Sequence, residues 1–194
     1  MGGQKMEKKG TLFVISAPSG AGKTTLTGQV LKQFPQLSYS ISHTTRKPRQ
    51  GEIHGRDYFF IEDQEFQTRI AQDQWIEWAQ VHGNFYGTDK AFVSEKLEKG
   101  ENLLLDIDVQ GAKQIMNSDL GLVSIFILPP SIEVLEQRLE SRGTDSPSVI
   151  AHRMENARWE MDQQGAYNHV IVNDDLGQAI VELCSILKTK MRSL

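Results

Sequence analysis

A chain of 194 residues is long enough for one substantial core, or for one core carrying an inserted lobe. Charged residues make up 24% and apolar residues 39%, with a formal net charge of −4, a balance that argues against a nucleic-acid or membrane-surface binder. The one cysteine, Cys184, allows no internal disulfide, and inside the apolar pattern AIVELCSILK it reads as a core thiol of a cytoplasmic protein.

Residues 1–9, MGGQKMEKK, have no hydrophobic core of a signal peptide, and no stretch of the chain has the apolar length of a membrane span. Met6 stands where a myristoylation signal needs Ser or Thr, so the segment reads as a disordered polar leader. Thr11 to Ala17, TLFVISA, is a β-branched and aromatic run that predicts a buried strand. Lys23 to Phe34 predicts a helix, with Leu26, Val30, Leu31 and Phe34 at helical spacing and Pro35 as the stop.

Between strand and helix lies SAPSGAGKTT, Ser16 to Thr25, which meets the phosphate-loop pattern G-x-x-x-x-G-K-[ST] except that Ala17 replaces the first glycine. Ala17 closes the strand, where a negative φ tolerates a methyl group, while Gly20 and Gly22 supply the curvature. The backbone from Ala17 through Pro18, Ser19, Gly20, Ala21 and Gly22 to Thr25 would wrap phosphate oxygens. Lys23 would reach the terminal phosphates, and the Thr24 hydroxyl would ligate Mg²⁺.

Ser38 to Phe92 breaks the alternation of strand and helix and reads as a small antiparallel or mixed lobe. In it Arg46 and Arg49 flank Pro48, and Tyr58 follows; two guanidiniums and a phenol can clamp a second phosphate, although such a string alone fits a solvated basic loop equally well. Asn102–Asp108, Leu122–Leu128 and His169–Asn173 are apolar runs typical of parallel strands. Helical patterns cover Val109–Asn117, Ser131–Ser141, Pro147–Gln163 and Asp175–Arg192, so the class is α/β with a parallel core sheet flanked by helices. Asp106 and Asp108 stand two apart at a strand's carboxyl end, which directs both to one face; Asp106 suits the Mg²⁺ shell, and helix capping is the alternative for either. His43, His54, His82, His152 and His169 show neither zinc-ligand spacing nor a nucleophile triad.

The strings SHTTRKPRQGEIHGRDYFF, WIEWAQVHGNFYGT, LLLDIDVQGAKQI, RLESRGTD and VIVNDDL occur in that order. Together they resemble the guanylate kinase family, bacterial type, from about Gly10 to near the C-terminus, and the Ala17 loop resembles a variant that family tolerates. The resemblance implies a P-loop nucleoside monophosphate kinase fold: core segments 10–37, 93–141 and 165–194, a mixed-sheet GMP-binding lobe over 38–92, and a helical lid over 142–164. It implies transfer of the γ-phosphoryl group of ATP, with Mg²⁺, to GMP and dGMP in cytoplasmic purine nucleotide metabolism. A homo-oligomer is left open.

By matching positions, Arg46, Arg49, Tyr58 and Tyr86 would hold the GMP phosphate, and Ser42, Glu77, Thr88 and Asp108 would address the base. Guanine presents adjacent N1–H and N2–H donors that one carboxylate, Glu77, can accept, whereas adenine has an acceptor at N1. Without the resemblance, a carboxylate between Trp75 and Trp78 reads as a surface group. Lys23, Arg46, Arg142 and Arg153 would carry catalysis, the last two as lid arginines on the γ-phosphate, with Arg138 a weaker candidate and Arg158 solvated. Asn173 matches a position near the adenine, a turn residue being the alternative. Two other readings are an interaction module that keeps only the fold, and a kinase for another base; an N-K-x-D motif of GTPases is absent.

Overall fold

The structure, a computed structural model, describes residues 9–81, 83–118, 120–141 and 146–191, so all of the expected leader except Lys9 lies outside the described residues. In chain order the first half runs β1 (Leu12–Ser16), α1 (Lys23–Gln33), β2 (Ser38–Tyr39), β3 (His43–Thr44), β4 (Phe59–Phe60), α2 (Asp63–Ala71), β5 (Trp75–Val81), β6 (Asn84–Asp89) and α3 (Lys90–Glu98). The second half runs β7 (Leu103–Asp106), α4 (Val109–Met116), β8 (Leu122–Leu128), α5 (Ile132–Glu140), α6 (Pro147–Asp162), a 3-10 turn at Gln163–Ala166, β9 (His169–Val172) and α7 (Leu176–Lys190).

Five strands form a parallel sheet in the order β2-β7-β1-β8-β9, with β1 wholly buried at its centre. The alternation of strand side chains splits the core in two. Phe13 and Ile15 point into one layer with Leu26 and Val30 of α1 and Leu183 and Leu187 of α7. Leu12 and Val14 point into the other with Val93 and Leu97 of α3 and Val109 and Ile115 of α4. Cys184 is a buried member of the first layer.

The second sheet has the order β4-β3-β6-β5 and is mixed, with β3 parallel to β4 and the other pairs antiparallel. Its inner face rests on Phe66, fully buried and stacked on Trp75 at 4.5 Å and on Phe85 at 5.3 Å between ring centroids. The expected lobe limits shift slightly: Ser38 and Tyr39 pair with β7 in the core sheet, and Phe92 lies in α3, whose inner face packs on that sheet. A third small cluster, Leu135 and Leu139 of α5 against Met154 and Ala157 of α6, joins the helical arm to the rim of the core.

Candidate active site

The carboxyl ends of β1 and β7 meet the loop that precedes α1. Gly20 and Gly22 have φ of 98° and 93°, the left-handed conformation the loop requires of its glycines, whereas Ala17 lies outside that region and is buried at the strand end. No side chain caps α1, so the amides of its first turn carry the positive end of an eleven-residue helix without a side-chain acceptor. Thr24 and Thr25 are exposed on that turn. The Lys23 ammonium lies 2.6 Å from Asp106 Oδ1 and donates to the Ile107 carbonyl at 2.7 Å, so in this state it is turned to the end of β7.

The expectation that Asp106 and Asp108 leave one strand face is corrected: β7 ends at Asp106, and Asp108 is the N-cap of α4, its Oδ1 accepting from the Gly111 amide at 2.7 Å. The capping alternative thus holds for one oxygen. The other, Asp108 Oδ2, is buried with no hydrogen-bond partner among the described residues. Glu77 of β5 reaches the same place, at 4% exposure, because an irregularity of the strand between Trp75 and Glu77 turns it to the face of Thr88 and Tyr86, with Ala79, while Trp75 packs on Phe66 on the other face. Its Oε1 accepts from the buried Thr88 hydroxyl at 2.5 Å. Burial first, then the neighbouring Asp108 charge, pushes the Glu77 carboxyl up from 4.5 to about 7, with Thr88 and Lys23 opposing. Asp108 is raised as well, chiefly by burial.

On the lobe, the Arg46 guanidinium is held by both oxygens of Glu52, at 2.9 and 3.0 Å, and lies 5.4 Å from the Tyr58 ring centroid. Glu52 also accepts from the Arg49 amide at 2.7 Å. The rings of Tyr58 and Tyr86 meet edge to face at 6.0 Å, and Ser42, half-buried, ties β3 to β4 through its carbonyl. Arg46, Arg49, Asn84 and Tyr86 form one wall of a cleft of about 410 Å³ whose other wall is the first half of α6, with His152 and Arg153. Two lobe arginines and one lid-helix arginine therefore face a common space. Arg142, the other expected lid arginine, lies outside the described residues; Arg158 is exposed as expected.

Asn173 is not an open side chain at the nucleotide loop. Its amide nitrogen donates to the Ala21 carbonyl at 2.7 Å, its own amide donates to the Leu128 carbonyl at 2.7 Å, and its carbonyl accepts from Arg138 at 3.0 Å. Three elements are thus tied under the loop. Sequence reasoning missed Glu160, one face of α6, whose carboxyl is pushed up to about 7 by burial and then by Asp108, while Lys23 and a hydrogen bond from the Ser19 amide oppose. It also missed Glu52, although a lone carboxylate three residues after Arg49 was a readable signal for an internal counter-ion.

The family model described as Guanylate kinase matches residues 9–190. The chain belongs to the guanylate kinase family. It is 49% identical over 182 residues to the guanylate kinase of Geobacter sulfurreducens, covering 94% of this chain and 90% of that one. To the guanylate kinase of Syntrophotalea carbinolica it is 51% identical over 182 residues, covering 94% and 87%. Among solved structures, a crystal structure of guanylate kinase from Anaplasma phagocytophilum superposes with a TM-score of 0.78 at 33% identity, covering 97% of this chain and 89% of that one. No described helix of this guanylate kinase family member is long and apolar enough to cross a membrane.

Proposed function

We infer that this chain transfers the γ-phosphoryl group of ATP to GMP, giving ADP and GDP, the activity of the family to which it belongs. The observation that carries the residue assignments is the convergence of buried Glu77 beside half-buried Asp108, a phosphate loop and an arginine-lined cleft. Glu77, ionised on binding, accepts N1–H and N2–H of guanine, with Thr88 orienting it; Asp108 Oδ2 takes a further donor of the base, and Ser42 lies beside them. Adenine would face the same carboxylates with an acceptor at N1 and strand them.

Arg46, Arg49, Tyr58 and Tyr86 receive the GMP phosphate, Glu52 holding Arg46 in place beforehand. The loop amides from Ala17 to Thr25 take the ATP phosphates, and Lys23 leaves Asp106 for them. A GMP phosphate oxygen then attacks the γ-phosphorus in line, the bond to the β,γ-bridging oxygen breaks, and ADP leaves with that oxygen. Arg153 and Arg142 of the lid, with Arg46, neutralise the oxygens of the moving group, and closure excludes water as a competing acceptor. Asn173 and Arg138 set the loop and the adenine side. Thr24 and Asp106, hard oxygen donors beside the loop, would hold Mg²⁺. When bound, that ion neutralises charge on the β- and γ-phosphates.

Segments 10–39, 90–141 and 165–194 act as the core, 40–89 as the GMP lobe and 142–164 as the lid, in the cytoplasm. A coupled assay of ADP release tests the reading: GMP-dependent turnover is expected, and Lys23→Ala should lower kcat by about 10²-fold or more, the usual cost of one transition-state charge contact. Wild-type turnover in that variant would remove the loop from the mechanism.

A further inference from the structure

Gly111 lies buried in the first turn of α4, where glycine is the least helix-favouring residue apart from proline. Its backbone is outside the left-handed region, so the main chain itself would accept any L-residue. A Cβ there would stand 2.1 Å from Glu77 Oε2, 2.9 Å from Glu77 Cδ and 3.3 Å from Asp108 Oδ1. The two carboxylates assigned to the base thus share the space that a side chain would fill.

Relief by a small shift is blocked from three sides. Glu77 Oε1 is held by the Thr88 hydroxyl at 2.5 Å. Helix α4 is tied to β5 by Gln114, which accepts from the Trp78 amide at 3.2 Å and donates to the Trp78 carbonyl at 2.6 Å. The Gly111 amide itself anchors Asp108 at 2.7 Å. A methyl group could therefore be accommodated only by moving the Glu77 carboxylate.

We propose that Gly111 is a specificity-determining position, whose missing side chain lets the Glu77 carboxylate stand beside Asp108 in the attitude that reads a purine edge with two adjacent N–H donors. The inference rests on the assignment of Glu77 to guanine. Gly111 is a positioning residue: it touches the reading carboxylate and not the substrate.

The test is a cycle of G111A, E77D and the double variant, with E77Q alongside, read as KM for GMP, KM for ATP, the GMP-to-AMP preference and Tm. G111A should raise KM for GMP by at least about tenfold, the scale of a disturbed charge-assisted hydrogen bond. KM for ATP should stay within about twofold, while Tm should fall in G111A and be restored in the double variant, since the clash outweighs the helix preference of alanine. In E77D the carboxylate is withdrawn by one methylene, so adding G111A to it should cost far less than adding it to the wild type.

Unchanged KM for GMP in G111A, or an equal cost in both backgrounds, overturns the proposal. If E77Q keeps wild-type GMP selection, the guanine assignment falls and Gly111 with it; if E77Q loses that selection while G111A does not, only the Gly111 inference falls. Should G111A fail to fold, a folded double variant supports the clash, and an unfolded one refutes it.

Discussion

Glu77 is a buried carboxylate whose proton is bound more tightly than in water, and with Glu77 on guanine, as proposed, this gives GMP binding a pH dependence with a fixed sign. A carboxylate accepts two N–H donors only when ionised, so below pH 7 binding GMP must first release the proton that burial and Asp108 favour. KM for GMP is expected to rise as pH falls below about 7, approaching tenfold per unit, and to level off above it. A pH profile of KM for GMP that is flat between 5 and 8 contradicts this, while KM for ATP serves as the internal control.

The same shift fixes a stability effect. A carboxyl raised in the folded state contributes most below its unfolded value, and that contribution is lost as pH rises through about 7. E77Q should therefore melt higher than the wild type at pH 8, by an amount that shrinks toward pH 5, even as it loses GMP. Equal melting temperatures at pH 8 would mean that the buried charge is compensated elsewhere. Neither the burial of Glu77 nor the approach of Glu160 was legible from neighbouring residues: Trp75 and Trp78 gave no inward direction until β5 was paired, and Glu160 acts through a helix that crosses to the loop.

At the scale of elements, the phosphate loop is supported from beneath rather than by its own glycines alone. Asn173 links the loop at Ala21, the end of β8 at Leu128, and Arg138 on α5, and a Cβ on Gly22 would meet its amide nitrogen at 2.4 Å. Asn173→Ala should leave the Ala21 carbonyl without its buried donor, costing about 1–3 kcal/mol of loop order. The expected result is a raised KM for ATP with KM for GMP near the wild-type value. Equal effects on both substrates would show that Asn173 serves the fold as a whole.

Four of the five core strands, β1, β7, β8 and β9, were legible as apolar runs, and their observed limits fall within two residues of those runs, whereas the two residues of β2 fall in the stretch expected as lobe. Two-residue strands such as β3 and β4 leave no periodicity to read, so only the mixed character of the lobe was accessible. The pairing of Asp106 with Asp108 failed for a related reason: two-residue alternation holds only while the strand continues, and here it stops at Asp106.

Across the whole molecule, β1 divides the core so that α1 and α7 back the phosphate loop while α3 and α4 back the carboxylate pair. In the proposed function, one sheet thus carries the donor site on one side of its carboxyl edge and supports the acceptor site on the other. The lobe and α6 then close the space between them with arginines from both walls. Order of segments along the chain conveyed this plan; the meeting of Glu77 and Asp108 at Gly111 required the fold, because 31 and 34 residues separate Glu77 from Asp108 and Gly111 in sequence.

In the proposed function, this site reads guanine through Glu77 and transfers a phosphoryl group to the phosphate of GMP. The most direct measurement is steady-state turnover with GMP, dGMP, AMP and UMP as acceptors at fixed Mg²⁺ and ATP. The highest kcat/KM is expected for GMP, with activity on dGMP and losses of about 10²-fold or more for AMP and UMP, which leave buried groups unpaired. Turnover of AMP equal to or above that of GMP would contradict it.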